Sequence, residues 1–155
     1  MLLHRHASAG ERLDAPELDR ARPLDRVGRA DARRLADVLE GQEITRIVSS
    51  PLRRCVDSVK PLATVRGLEI ELRDELEPQA SAETTTGLLR GLPDTTLLCT
   101  HREVIERLFE GKIACEKGGT WILERRRSRL VPVEYIGPPT TLERERRLGA
   151  LVRSR

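Results

Sequence analysis

A chain of 155 residues has the length of one domain and can bury a sizeable core. Hydrophobic residues at 38% and charged residues at 34% match an ordinary globular protein, but Phe109, Trp121 and Tyr135 are its only aromatics, too few for the stacking platforms that single-stranded nucleic acid requires. The net charge of +3 suits an anionic ligand; the basic residues nonetheless alternate with acids, as in Arg144-Glu145-Arg146-Arg147, in the manner of solvated helix faces, and nucleic acid is not an expected partner.

Met1-Leu2-Leu3 reads as a short buried strand. Residues 7–24 are polar, carry Gly10, Pro16 and Pro23, and read as a loop. From Arg26 to Leu39 the apolar positions recur at helical spacing, and Gly41 follows as a stop. Ile44–Val48 is a short β-branched run cut off by Ser49-Ser50-Pro51. Leu52–Val65 has a helical pattern that Pro61 is expected to kink or restart. Leu68–Leu72 alternates apolar with acidic residues, as in a strand with one wet face. A short helix over 82–91, a buried strand at Thr95–Cys99 and a helix at Glu103–Phe109 follow. Trp121–Leu123 and Leu130–Ile136 look like a closing pair of strands, and a charged helix or tail occupies the end of the chain from Leu142. The expected division is therefore a domain over 1–140 and a charged segment over 141–155. Alternating strands and helices imply an α/β fold, a single domain of three α/β/α layers on a mostly parallel sheet.

No apolar run approaches the roughly 20 residues that span a bilayer, and the opening apolar stretch of three residues is too short for a secretory leader, so no membrane is expected and the cytoplasm is the expected compartment. Cys55, Cys99 and Cys115 are widely spaced, without the Cys/His pattern of a zinc site; reduced thiols, no metal and no cofactor are expected.

Ligands of open α/β sheets bind at the carboxyl ends of the strands. Arg5 and His6 leave the first strand, Ser49 and Ser50 leave the second ahead of Arg53 and Arg54, and Thr100 and His101 leave the strand at 95–99. Arginine supplies permanently charged donors matched to phosphate oxygens, and a neutral imidazole is a nitrogen nucleophile, so this rim suits phosphoryl transfer. Alternation sends His4 and His6 to the same face, and Arg53 and Arg54 are adjacent; periodicity alone chooses within neither pair.

Four segments carry a family resemblance. Leu3-His4-Arg5-His6-Ala7 resembles the Arg-His-Gly/Ala signature of the histidine phosphatase (phosphoglycerate-mutase-like) superfamily; Arg22-Pro23-Leu24 with Gly28, Ser50-Pro51-Leu52-Arg53-Arg54 and Cys99-Thr100-His101 resemble its later motifs, in the same order. The compact branch is the nearest, containing SixA-type phosphohistidine phosphatases and the phosphatase domain that follows a Nudix domain in some bacterial proteins. Arg54-Cys55-Val56-Asp57-Ser58-Val59 and Lys117-Gly118-Gly119-Thr120-Trp121 look most like the latter group, here expected as a stand-alone version.

The resemblance implies a phosphoglycerate-mutase-like fold and a covalent phosphohistidine at His6, with Arg5, Arg54 and His101 holding the phosphoryl oxygens. Asp74-Glu75-Leu76-Glu77-Pro78 resembles the family's Glu-Leu-x-Pro stretch, which implies Glu75 rather than Glu77 as general acid. Arg22, Arg102 and Ser50 are the expected further substrate contacts, Arg102 standing where glycine often follows the second histidine. A phosphomonoester or a protein phosphohistidine is the expected substrate. The alternatives are phosphoanhydride hydrolysis of nucleotides and a catalytically weak phosphate-binding module.

Overall fold

The computed structural model describes residues 1–153. Its six strands are β1 (Leu2–Arg5), β2 (Arg46–Ser49), β3 (Ile70–Leu72), β4 (Thr96–Thr100), β5 (Thr120–Arg126) and β6 (Arg129–Ile136). They form one sheet in the order β3-β2-β4-β1-β5-β6, in which β1 to β4 run parallel and the β5–β6 hairpin is antiparallel. The helices are α1 (Pro16–Arg20), α2 (Arg26–Val38), α3 (Arg53–Arg66), α4 (Ala82–Arg90), α5 (Arg102–Leu108) and α6 (Pro139–Arg153). Among the described residues no helix is long and apolar enough to cross a membrane.

Alternation along the strands builds two cores. Leu2, Ile47, Leu97 and Cys99 point to the face covered by α2 and α3, where they meet Leu35, Leu39, Val59 and Leu62. Leu3, Val48 and Leu98 point the other way and meet Leu88 and Leu89 of α4 and Ile105 of α5. The sheet is thus sandwiched between helical layers, with α6 packed on α2.

Three elements differ from the sequence reading. Within the expected loop at 7–24, Pro16 starts the short helix α1, a position where its missing N–H costs nothing. The helix α3 runs through Pro61 without a break, and the flanking Val59, Leu62 and Ala63 are buried against the sheet. The terminal helix starts at Pro139, three residues before Leu142, and the Asp31 carboxylate accepts hydrogen bonds from both the N–H and the hydroxyl of Thr140 in its first turn.

The chain order has one consequence for function. The connection from β1 leads to α2 on one face, and that from β4 leads to α5 on the other, so the neighbouring strands β1 and β4 send their helices to opposite sides. The carboxyl ends of such a pair flank a crevice. Directly after β1, residues 7–10 are held by Asp25: its carboxylate accepts from the Ser8 hydroxyl (2.5 Å) and Gly10 N–H (3.2 Å) while capping α2 at Gly28 N–H (2.8 Å). Gly28 lies so close to this loop that a methyl group there would overlap the Ser8 carbonyl oxygen. Gly28→Ala is therefore expected to destabilise the protein by about 1–3 kcal/mol, read as a lower urea midpoint at unchanged m-value.

Candidate active site

A cleft of about 300 Å³ opens at the carboxyl ends of β1 and β4. Arg5, the last residue of β1, and His6 line it, with Arg54 from the first turn of α3 and His101 from the end of β4. The backbone fixes their relation: His6 N–H donates to the Thr100 carbonyl (3.0 Å), and Gly118 N–H bridges the carbonyls of Arg5 and His6 (3.1 Å each). Gly118 does this at φ +82°, where a side chain would be strained. From α3, the Ser58 hydroxyl accepts from Ala7 N–H (2.9 Å) and donates to the Arg54 carbonyl (2.6 Å), coupling the two arms of the cleft.

The two histidine rings sit with centroids 5.2 Å apart. His6 Nδ1 contacts the Ala7 carbonyl at 2.8 Å. A carbonyl only accepts, so Nδ1 carries the proton and Nε2 has the free lone pair. Burial, together with the charges of Arg54, Arg5 and Arg22, lowers the His6 pKa to about 3, against the opposing pull of the Ala7 hydrogen bond. The ring is neutral at physiological pH. His101 Nε2 is 2.8 Å from the Ser50 hydroxyl, and Ser50 in turn accepts from Leu52 N–H (3.4 Å). Among the described residues His101 Nε2 is the one acceptor within reach of the buried Ser50 hydroxyl, so the Ser50 O–H donates to Nε2 and the His101 proton sits on Nδ1. Burial first, then His6 and the arginines, lowers the His101 pKa to about 2.

Arg54 is buried, with one terminal nitrogen 2.9 Å from the Asp19 carbonyl and 3.3 Å from its carboxylate; Arg53 is exposed and pairs with Asp57. Arg5 donates to the Cys115 carbonyl (2.6 Å). Despite these anchors, three buried nitrogens on cleft residues have no partner among the described residues: Arg5 Nε, Arg54 Nε and His101 Nδ1. Unpaired buried donors are costly, and an oxyanion is the ligand that satisfies several at once.

Arg22 lines the cleft, tied to Asp19 (2.9 Å) and the Ala9 carbonyl (2.8 Å). Arg102 lies on the rim, 3.6 Å from Glu106 one helical turn on. Two expected residues are elsewhere. Ser50 is fully buried behind His101, so it positions that ring instead of lining the cleft. Glu75 lies outside the cleft, in a 3-10 turn at Asp74–Leu76, where Arg73 at 2.5 Å holds its carboxyl below the usual range. Glu77 is likewise taken up by Arg20 (2.7 Å) and Gln79 (2.6 Å). The sequence reading missed Asp19, Arg12, Lys117 and Glu103 on the cleft wall and Ser58 beneath it. Of these, Lys117 beside Gly118-Gly119, Ser58 within the segment Arg54–Val59 and Glu103 close after His101 carried a signal.

His4 stands apart from this chemistry. It is buried within β1, its Nδ1 is 2.9 Å from the Thr120 hydroxyl, and burial lowers its pKa to about 4. The three histidines thus stay neutral in the folded protein while their unfolded counterparts protonate near pH 6.5. The unfolded state binds more protons below that pH, so stability is full above pH 6.5 and falls as pH drops toward about 4. The unfolding free energy is expected to decline from pH 7 to pH 4.5, and in His4→Asn the slope should lose about one of three protons. Urea titrations across this range would check both.

Comparison with known proteins agrees with the geometry. A family model described as the histidine phosphatase superfamily (branch 1) matches residues 1–133. An 8-oxo-(d)GTP phosphatase of Mycolicibacterium smegmatis is 31% identical over 90% of this chain; the chain spans about half (48%) of that relative's length. Among solved structures, the protein histidine phosphatase SixA complexed with tungstate superposes with a TM-score of 0.74 at 20% identity, covering 91% of this chain and 99% of SixA. A phosphoserine phosphatase from Entamoeba histolytica does so at 0.69 and 15% identity, covering 86% and 94%. Both likenesses show the fold, which is the phosphoglycerate-mutase-like one. With its family model matched over most of its length, the chain belongs to the histidine phosphatase superfamily, branch 1.

Proposed function

We propose that this chain is a phosphatase, one that works through a covalent phosphohistidine at His6 and accepts a phosphomonoester or a protein phosphohistidine. The observation that carries this reading is the set of three unpartnered buried donors, Arg5 Nε, Arg54 Nε and His101 Nδ1, around a neutral His6 whose free lone pair is on Nε2. In the first step Nε2 attacks phosphorus and the leaving oxygen departs; in the second, water displaces Nε2 and releases inorganic phosphate. Arg5, Arg54 and His101 hold the phosphoryl oxygens, whose charge grows most important as the bonds loosen. Arg22 supports Arg54 through their shared partner Asp19. In the presence of a chelator, wild-type protein is expected to hydrolyse p-nitrophenyl phosphate, and His6→Ala to lose at least ~10³-fold in kcat. Full activity in His6→Ala, or dependence of the wild type on added divalent metal, would overturn the mechanism.

A second reading, phosphoanhydride hydrolysis on a nucleotide, is favoured by the charge of the cleft. Arg5, Arg12, Arg22, Arg54, Arg102 and Lys117 line it against only Asp19 and Glu103, an excess of four cations where a monoester dianion brings two charges. The relative from M. smegmatis, named for 8-oxo-(d)GTP, points the same way. Reversing the rim charges with Arg102→Glu and Lys117→Glu is expected to raise KM for a nucleoside triphosphate by ~10-fold or more, with less than ~3-fold change for p-nitrophenyl phosphate. Equal effects on both substrates would favour the monoester.

A further inference from the structure

The two-step reaction leaves one proton without a carrier. When the phosphorus–oxygen bond of an alkyl or aryl ester breaks, the departing oxygen needs a proton, and the attacking water must later lose one. Glu75 and Glu77 are bound to arginines outside the cleft. Asp19 lines it but is committed to Arg22 at 2.9 Å, Leu13 N–H at 3.0 Å and Arg54 at 3.3 Å. Burial alone would raise its pKa, yet these partners hold it below the usual carboxylate range.

Glu103 is different. It lines the same cleft as His6, it is partly buried, and among the described residues no hydrogen bond or ion pair occupies its carboxylate. It is near enough to both phosphate-facing arginines for its charge to oppose the loss of theirs on burial. Its backbone is rigidly placed, in the first turn of α5, between His101 and the core residues Val104 and Ile105, each 1% exposed. Functional groups carried on packed helices hold their geometry better than groups on loops.

We propose that Glu103 is the proton donor and acceptor of the reaction, an assignment that rests on the phosphatase reading above. In the first step the bond between His6 Nε2 and phosphorus forms and the phosphorus–oxygen bond breaks. Its electron pair goes to the ester oxygen, and the proton of the Glu103 carboxyl goes with it, releasing the neutral alcohol. In the second step water attacks phosphorus, the phosphorus–Nε2 bond breaks with its electrons returning to the ring, and the proton of the water passes to the Glu103 carboxylate. The carboxyl is protonated again and no other co-reactant is consumed.

The test is the dependence on the leaving group. Good leaving groups depart without help, so a lost acid slows only the poor ones. With Glu103→Gln, kcat/KM, which is set by the steps up to departure of the alcohol and not by the water step common to all esters, is expected to fall ~100-fold or more on phenyl phosphate and less than ~5-fold on p-nitrophenyl phosphate. Inorganic phosphate should bind within ~3-fold of wild type, which separates loss of the acid from loss of the fold. Glu75→Gln should leave both esters within ~2-fold. Equal losses on the two esters, no loss on either, or the split appearing in Glu75→Gln would overturn the assignment. Failure of the phosphatase reading is seen separately, as activity retained in His6→Ala.

Discussion

The hydrogen bond from His6 N–H to the Thr100 carbonyl is the joint on which the site depends. It continues the parallel pairing of β1 and β4 by one residue beyond the strands, and so holds His6 and His101 at a fixed separation. Each histidine sits where its chain leaves the sheet toward a different helical layer. Gly118 clamps the other side of the same turn, and Ser58 ties it to the arm that carries Arg54. Residues from four distant stretches of sequence are thereby held to one another, three of them by main-chain hydrogen bonds that do not depend on rotamers and the α3 arm through the Ser58 hydroxyl.

The cost of this arrangement is visible in the cleft residues themselves. The Arg54 guanidinium is buried and that of Arg5 half-buried, each with an Nε that has no partner among the described residues, and a third orphan donor sits on His101. Burial lowers the pKa of both arginines, and Asp19 offsets only Arg54. Such frustration concentrates where a ligand relieves it. Neutral imidazoles fit the same logic: charged rings would add to the repulsion, whereas a neutral His6 keeps a lone pair available. The electrostatics of the cleft thus favour an oxyanion and a nucleophilic nitrogen together.

Much of the architecture was legible in the chain because local rules agree with the fold. Alternation in Leu2-Leu3, Ile47-Val48 and Leu97-Leu98 marks strands buried on both faces, and the apolar spacing from Val27 to Leu39 marks a helix. Tertiary context overrode the local signal elsewhere. Pro61 does not interrupt α3 because its neighbours Val59, Leu62 and Ala63 pack against the sheet. Within the polar 7–24 segment, α1 forms and brings Asp19 under Arg54 and Arg22, a contact with no sequence period to announce it.

For the site, sequence motifs alone identified the family and drew His6, Arg5, Arg54 and His101 toward one rim, because they follow strand ends and strand ends of a parallel sheet share an edge. Which carboxylates share that rim, and which of them is left without an ion pair, was decided only by the tertiary structure. Glu75 stands in the motif-like stretch, but Arg73, two residues before it, draws its side chain away. Glu103 reaches the cleft because α5 starts at the end of β4 and turns its first residues over the crevice. Residue type and order determine what chemistry a chain can support; packing and ion pairing, which join residues far apart in sequence, decide which side chains are free to perform it.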